Sequence, residues 1–428
     1  MEPLYVNIIL YLLTFFLYFI KDRKLGIREC VFLLYAIFGV ASVVSINEGI
    51  YFEVFGVYAL HQLSLTPLVL NYLFVLLFAQ SLNGLNKVKF DLISFENIYV
   101  RIFEWTMVFI AILYLIFQYE WSKLISNLEL SEIYAAGHTG DAELTFDNPL
   151  WNILYYRSKQ LITLATPIIY IIEFMNLSLN KNVKKVAIII LLMFLPSVIG
   201  YGISANRGGI IFSFASLAFF VILFWPKFSK SIKKSIALAS LGLVALGLVY
   251  IIAISLSRSD GDASRSNDMV LRYFGEAYPN LVWQIWPVEG HTLDGMRTFP
   301  TLYEMFGGYI PQYNDEGNAG LHFMFEMISG WPILIFKTFY GDLYVEFGAY
   351  IPYLIALLYL LVVNLMQAKL KYSVFTLLIF HFSFMALIFG LFDNYLTESN
   401  IVNLIILFIA ALLFNHKLAN KETDVANN

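Results

Sequence analysis

The sequence predicts an all-α, polytopic membrane protein with about eleven transmembrane helices and a large, ordered, mostly helical loop on its outer side. Three observations carry this. Hydrophobic residues make up 59% of the 428-residue chain and charged residues only 14%, against roughly 25% charged in soluble domains, which excludes a soluble enzyme. Apolar runs without central charge recur along the whole chain. The connections between them alternate between lysine-rich and acid-rich.

The runs lie at about 4–20, 30–46, 65–82, 102–119, 160–176, 187–204, 208–225, 236–256, 338–364, 373–391 and 401–415. A charge at the middle of such a run costs roughly 2.5–3.5 kcal/mol on the insertion scale, so clean centres are what hydrocarbon selects. The 208–225 and 401–415 runs are short. The first run has no basic residue before it and no small-residue cleavage site, so it reads as an anchor that stays. Spans of ~20 residues use about half the chain.

Charge sets the orientation. One series of connections holds Lys21, Arg23, Lys24, Arg28, Lys87, Lys89, Arg101, Lys181, Lys184, Lys185, Lys227, Lys230, Lys233, Lys234, Lys369, Lys371, Lys417 and Lys421, eighteen of the 27 basic residues. The other series carries nine basic residues and most of the acids. The positive-inside rule places the first series in the cytoplasm, which puts the N-terminus outside and the C-terminus inside. The chain reads as a single integral membrane domain over 1–428, with long outer loops at about 120–159 and 257–337 and a polar inner tail at 416–428. Five of the twelve prolines fall in the larger loop, with many aromatics, which favours an ordered cap over a floppy linker.

A net charge of −4 provides no basic field for nucleic acid. One cysteine, Cys30, excludes an internal disulfide and a thiolate metal cluster. No Walker A, HExxH, GxSxG or dinucleotide fingerprint occurs, so neither a nucleotide nor a metal cofactor is expected.

Basic residues change type with side. The inner series is nearly all lysine, whereas six of the nine outer ones are arginine: Arg157, Arg207, Arg258, Arg265, Arg272 and Arg297. Guanidinium presents a flat fork of donors that fits phosphate oxygens two at a time. Gathered at the bilayer surface, the six would bind an anionic lipid-linked headgroup; the alternative is that each pairs with an outer acid. Arg207 lies in Ser204-Ala205-Asn206-Arg207-Gly208-Gly209, which joins two spans almost without a loop. An arginine there is costly unless paired or facing a cavity, and the glycines allow close backbone approach. It could instead snorkel from a tight hairpin.

Asp268, Arg272 and Glu276 fall at i, i+4 and i+8, and Ser266 or Asn267 is placed to cap a helix ending before Pro279. They read either as a salt-bridged ladder or as Arg272 on phosphate with Glu276 orienting it. Tyr273 and Tyr278 offer rings to sugars or anchors to the interface. His291 and His322, both outside and both after glycine-containing turns, are candidate bases near their ordinary titration range. In Gly341-Asp342-Leu343-Tyr344-Val345-Glu346-Phe347-Gly348, Asp342 and Glu346 share a helix face. They either complement the helix dipole or accept hydroxyl protons and hold an arginine. His381 lies inside the tenth span, where a histidine serves function or simply bonds a neighbouring helix.

These residues resemble the Wzy-type oligosaccharide repeat-unit polymerases of O-antigen and capsule assembly. The likeness rests on the many-span topology, Asn206-Arg207-Gly208, Tyr273-Phe274-Gly275-Glu276-Ala277-Tyr278 and Leu343-Tyr344-Val345-Glu346-Phe347-Gly348. The resemblance implies a GT-C-like fold in the bacterial inner membrane, with the outer loops in the periplasm. It implies a metal-independent glycosyltransferase whose donor and acceptor are oligosaccharides on undecaprenyl pyrophosphate, with a chain-length regulator as a further partner. Arg157, Arg207, Arg258, Arg265, Arg272, Arg297, Asp342, Tyr273 and Tyr278 would then bind substrate, and His291, His322, Glu276 and Glu346 are the catalytic candidates. Competing readings are an O-antigen ligase, a flippase or transporter of lipid-linked glycans, and an O-acyltransferase using His381.

Overall fold

The computed structural model describes residues 2–23, 25–51, 63–83, 85, 98–124, 146, 148–203, 207–258, 263–287, 292–308, 336–369, 374–392 and 394–410. Regular structure among them is entirely helical. In chain order the helices are α1 (Glu2–Asp22), α2 (Ile27–Asn47), α3 (Thr66–Phe78), α4 (Ile98–Leu124), α5 (Pro149–Ser178), α6 (Val183–Ile203), α7 (Arg207–Phe224), α8 (Lys230–Arg258), α9 (Ala263–Gly275), α10 (Ala277–Asn280), α11 (Pro300–Met305), α12 (Phe339–Phe347), α13 (Ile351–Lys369), α14 (Val374–Phe389) and α15 (Glu398–Ala410).

Where they are described, the apolar runs expected from the sequence fall largely on helix. Among the described residues seven helices are long and apolar enough to cross a bilayer; α12 and α13 pass together as an eighth, bent by 115° at their junction. The helices at Thr66–Leu82, Val374–Phe389 and Glu398–Ala410 are apolar but shorter. The protein is therefore a helical, multi-pass membrane protein. Its outward surfaces agree: α8 presents Leu238, Leu241, Leu246, Leu248, Val249 and Ile252 outward, a pattern that suits lipid and would be costly in water.

Local chemistry sets several boundaries. Asn148 accepts a hydrogen bond from the Leu150 amide (2.9 Å), and Pro149 supplies the fixed φ of a first helical residue, so α5 starts here. Together with α4, which runs to Leu124, this makes both ends of the 120–159 stretch helical instead of loop. Gly26 donates to Glu29 Oε2 (3.0 Å) at the start of α2. Ser266 and Asn267 do not cap: α9 already begins at Ala263 and carries both inside it.

No boundary is visible in the sequence, but the chain divides into two compact units. The first comprises Met1–Lys87, Gly261–Lys369 and Phe382–Val402. In it α1 pairs with α2, α3 packs on α1, α12 and α13, and α9 lies along α2. The segment expected as an outer cap thus folds back onto a spanning helix. A Cβ on Gly275 would stand 2.6 Å from the Ala41 carbonyl oxygen, so only glycine permits this approach. Phe274 meets Phe38 edge-on at 5.3 Å, and the Tyr278 hydroxyl donates to the Tyr35 carbonyl (3.2 Å).

The second unit comprises Val88–Asp260, Leu370–His381 and Asn403–Asn428. Helices α4, α5 and α6 pack on one another, and α7 packs on α5 and α6. Pro167 and Pro196 lie inside helices, and Gln118 donates to the Pro196 carbonyl (2.6 Å). Such interior prolines persist in membrane helices because neighbouring groups satisfy the backbone they disturb.

Candidate functional site

One group of charged residues of the first unit collects around the start of α12. Thr338, at φ 67°, caps this helix by accepting from the Gly341 amide (3.1 Å), which sets Asp342 in the first turn and Glu346 one turn later. A carboxylate is favoured at that helix end. Asp342 here does more than complement a dipole. Its Oδ1 accepts from the Arg297 guanidinium and from Lys337 Nζ (3.3 Å), and its Oδ2 from the Asn394 amide (3.2 Å). Asp342 and Lys337 are almost wholly buried, with side chains 3% and 2% exposed. Each would cost several kcal/mol to bury alone, and mutual pairing with extra donors offsets that cost.

Glu346 is fully buried. Its Oε2 accepts from the Arg297 amide (3.4 Å), while its Oε1 has no hydrogen-bond partner. The 294–298 turn is held by Leu293 donating to the Val345 carbonyl (3.1 Å) and by Glu398 donating to the Thr298 carbonyl (2.9 Å). Asn394 also reaches Thr298 Oγ1 (3.4 Å). Among the described residues two cations and two carboxylates therefore share one polar nest.

A second polar group adjoins it through the 336–337 backbone. Lys337 belongs to the first nest, and the Phe336 carbonyl accepts from Asn280 Nδ2 (3.0 Å) in the second. The π-helical turn Leu281–Ile285 follows α10 and sets Gln284 over Asn280; turns of this kind recur at functional positions. Gln284 donates to the Tyr51 hydroxyl and to Asn280 Oδ1 (both 3.0 Å), and Tyr51 donates to Asn280 Oδ1 (2.8 Å). Gln284 Oε1 is buried without a partner. Burial pushes the Tyr51 phenol above its ordinary range; the nearby Glu276 carboxylate adds to the rise, while the Gln284 hydrogen bond and Arg272 oppose it.

Arg272 Nε lies 2.7 Å from Glu276 Oε2, so the ladder reading is realised at this step. Tyr273 packs against Phe336 and Phe392, with ring centroids at 4.8 and 5.3 Å. Tyr278 is a core residue and presents no ring to a ligand here. In the second unit Arg157 is exposed and hydrogen-bonds Gln160 (2.9 Å). His381 makes the neighbouring-helix bond, 2.9 Å to Ser216, and stacks on Phe220 at 5.1 Å. Arg207 opens α7, Arg258 closes α8 and Arg265 lies in α9, but their side chains, like His291 and His322, lie outside the described residues.

The structure thus brings together Arg297, Asp342 and Glu346, and separately Arg272 and Glu276. Each of these two arginines meets a carboxylate. Sequence reasoning missed Lys337, Asn394, Tyr51, Asn280 and Gln284. Lys337 carried a signal as one of only three outer lysines, immediately before an apolar run. The others are polar residues whose partners are remote in sequence, apart from the i, i+4 pair Asn280 and Gln284.

Among the described residues no group of three or more His, Cys, Asp or Glu is placed to hold a metal. No protein-family model matches the chain, and neither a curated protein nor a solved structure matches it.

Proposed function

We propose that the protein is a polysaccharide polymerase that joins oligosaccharide repeat units carried on undecaprenyl pyrophosphate at the outer face of the bacterial inner membrane. The reading takes about eleven spans, a periplasmic N-terminus, a cytoplasmic C-terminus and a GT-C-like arrangement. The observation that carries it is the nest around α12, where the Arg297 and Lys337 cations meet on Asp342 and the Arg297 segment contacts Glu346, whose Oε1 has no hydrogen-bond partner.

The proposed chemistry divides between these groups. The anomeric C–O bond of the donor breaks with its electron pair going to a pyrophosphate oxygen. Arg297, Lys337 and Arg272 stabilise that charge, which develops where water is excluded and fixed donors act most strongly. The acceptor hydroxyl oxygen forms the new glycosidic bond, and its proton passes to Glu346. Asp342 acts as a positioning residue that holds both cations before substrate arrives. Tyr51, Asn280, Gln284 and the Trp283 ring, 5.2 Å from Tyr51, are the kind of amide and aromatic set that grips sugar hydroxyls and faces.

The test is purified protein in liposomes supplied with a lipid-linked repeat unit. A ladder of longer lipid-linked glycans supports polymerisation. Extension only when lipid A core is supplied identifies a ligase. Movement of glycan across the bilayer without joining identifies a flippase and removes the enzymatic reading.

A further inference from the structure

The second unit contains a buried acidic group that glycosyl transfer does not use. Glu104, on α4, and Glu173, on α5, are 3% and 0% exposed. Lys185, in the first turns of α6, lies 3.1 Å from Glu104 Oε2 and 5.7 Å from the Trp105 ring centroid. Glu173 lies within electrostatic reach of both Glu104 and Lys185, yet neither of its carboxylate oxygens has a hydrogen-bond partner. Among the described residues Asn176, one turn further along α5, also acts on it. Next to Glu173 in the chain, Phe174 stacks with Phe220 and Phe224 of α7.

Charge arithmetic makes this set incomplete. With both acids ionised, one ammonium faces two carboxylates in apolar packing. An uncompensated buried charge is removed by binding a counter-ion or by neutralisation. Two features select the proton over a metal ion. The nearest cation already occupies one carboxylate and would repel a second, and the set supplies too few oxygens for a hard cation, which takes about six.

We infer that Glu173 and Glu104 hold one exchangeable proton between them, reached from the end of the bundle where Lys181, Lys184 and Lys185 join α5 to α6. Lys185, whose side chain is 38% exposed, links the pair to water. The proton keeps α4, α5 and α6 packed; its loss sets two negative charges against one ammonium and loosens that junction. The inference stands apart from the proposed polymerase activity and survives its failure.

Dicyclohexylcarbodiimide tests it on the full-length protein in liposomes. The reagent partitions into apolar surroundings and takes a protonated acid: the O–H adds across a C=N bond, and the adduct rearranges to a stable N-acylurea with no atom lost. Mass spectrometry should place the adduct on Glu173 or Glu104, with labelling lost at alkaline pH. Infrared spectra should show a carboxylic-acid carbonyl band that is missing in Glu173→Gln, a variant that imitates the neutral form and keeps the fold. Lys185→Met should strengthen that band, because Glu104 loses its counter-ion and takes a second proton. Labelling blocked by sodium at fixed pH would make the pair a metal-cation site and overturn the inference. So would a band and labelling unchanged in Glu173→Gln, or the absence of both in wild type.

Discussion

Asp342 holds two cations at once, and its own burial with that of Lys337 makes it a residue on which the nest depends. Removing it takes from buried Lys337 the carboxylate that stands 3.3 Å away. Loss of one partner of such a pair typically costs about 3–5 kcal/mol, so Asp342→Ala should lower the unfolding temperature in detergent strongly, and Asp342→Asn less. Arg272 behaves differently, because its side chain is 34% exposed. Arg272→Ala should leave the protein inserted and folded while surface glycan carries one repeat unit instead of a ladder on gels. Arg207→Ala should do the same, and Arg207→Lys should also be poor, because a point charge lacks the fork of donors. Lys230→Ala, in the lysine-rich series, should be silent. At this scale the sequence revealed residue types and little of their pairing. The i, i+4 spacing made Arg272–Glu276 and the shared face of Asp342 and Glu346 legible. Arg297 with Asp342 and Tyr51 with Gln284 join distant segments, and no local pattern encodes them; Lys337 and Asp342 stand five residues apart across the start of α12, a spacing outside the i, i+4 pattern.

Helix α9 shows how an element is placed by one small residue. Gly275 faces the backbone of α2, and a methyl group there meets a carbonyl that cannot rotate away. Overpacking of this kind costs typically 1–3 kcal/mol. Gly275→Ala should therefore destabilise the protein measurably in thermal unfolding and, by moving Glu276, lower activity beyond the stability loss. The charged ladder made α9 legible as a helix, but its start was misread because Ser266 and Asn267 suit a cap as well as a solvent-facing interior turn. Its position was illegible for another reason. The loop reads as a cap because its charges look water-facing, whereas Phe274 meets Phe38 of α2 and Tyr278 meets Tyr35 of α2 and Tyr11 of α1, partners remote in sequence. The apolar helices were legible, seven or eight of them long enough to span, since absence of central charge is a property of composition along a single run. Lengths were not: the cap at Asn148 and the bend at Gly348 decide where α5 and α12 end.

For the molecule as a whole, the proposed orientation rests on the alternating lysine series, and Cys30, the one cysteine, makes orientation measurable. On a Cys30→Ser background, Lys184→Cys and Lys230→Cys should react with a membrane-impermeant maleimide only from the cytoplasmic side. Arg157→Cys should react only from the opposite side; labelling of all three from one side would overturn the topology. Membrane class followed from composition, because a chain with 14% charge has too little polar surface for water. The two compact units did not, because each is assembled from three separate stretches, and long-range helix packing leaves no boundary of linker composition. The central claim is that Glu346 accepts the acceptor proton beside the Arg297–Lys337 cations. The most direct measurement is single-turnover transfer between lipid-linked repeat units by wild type and Glu346→Gln in liposomes. The account predicts that Glu346→Gln binds lipid-linked pyrophosphate as wild type does but slows bond formation by about 10²-fold or more, the range a positioned base contributes; an unchanged rate would contradict it.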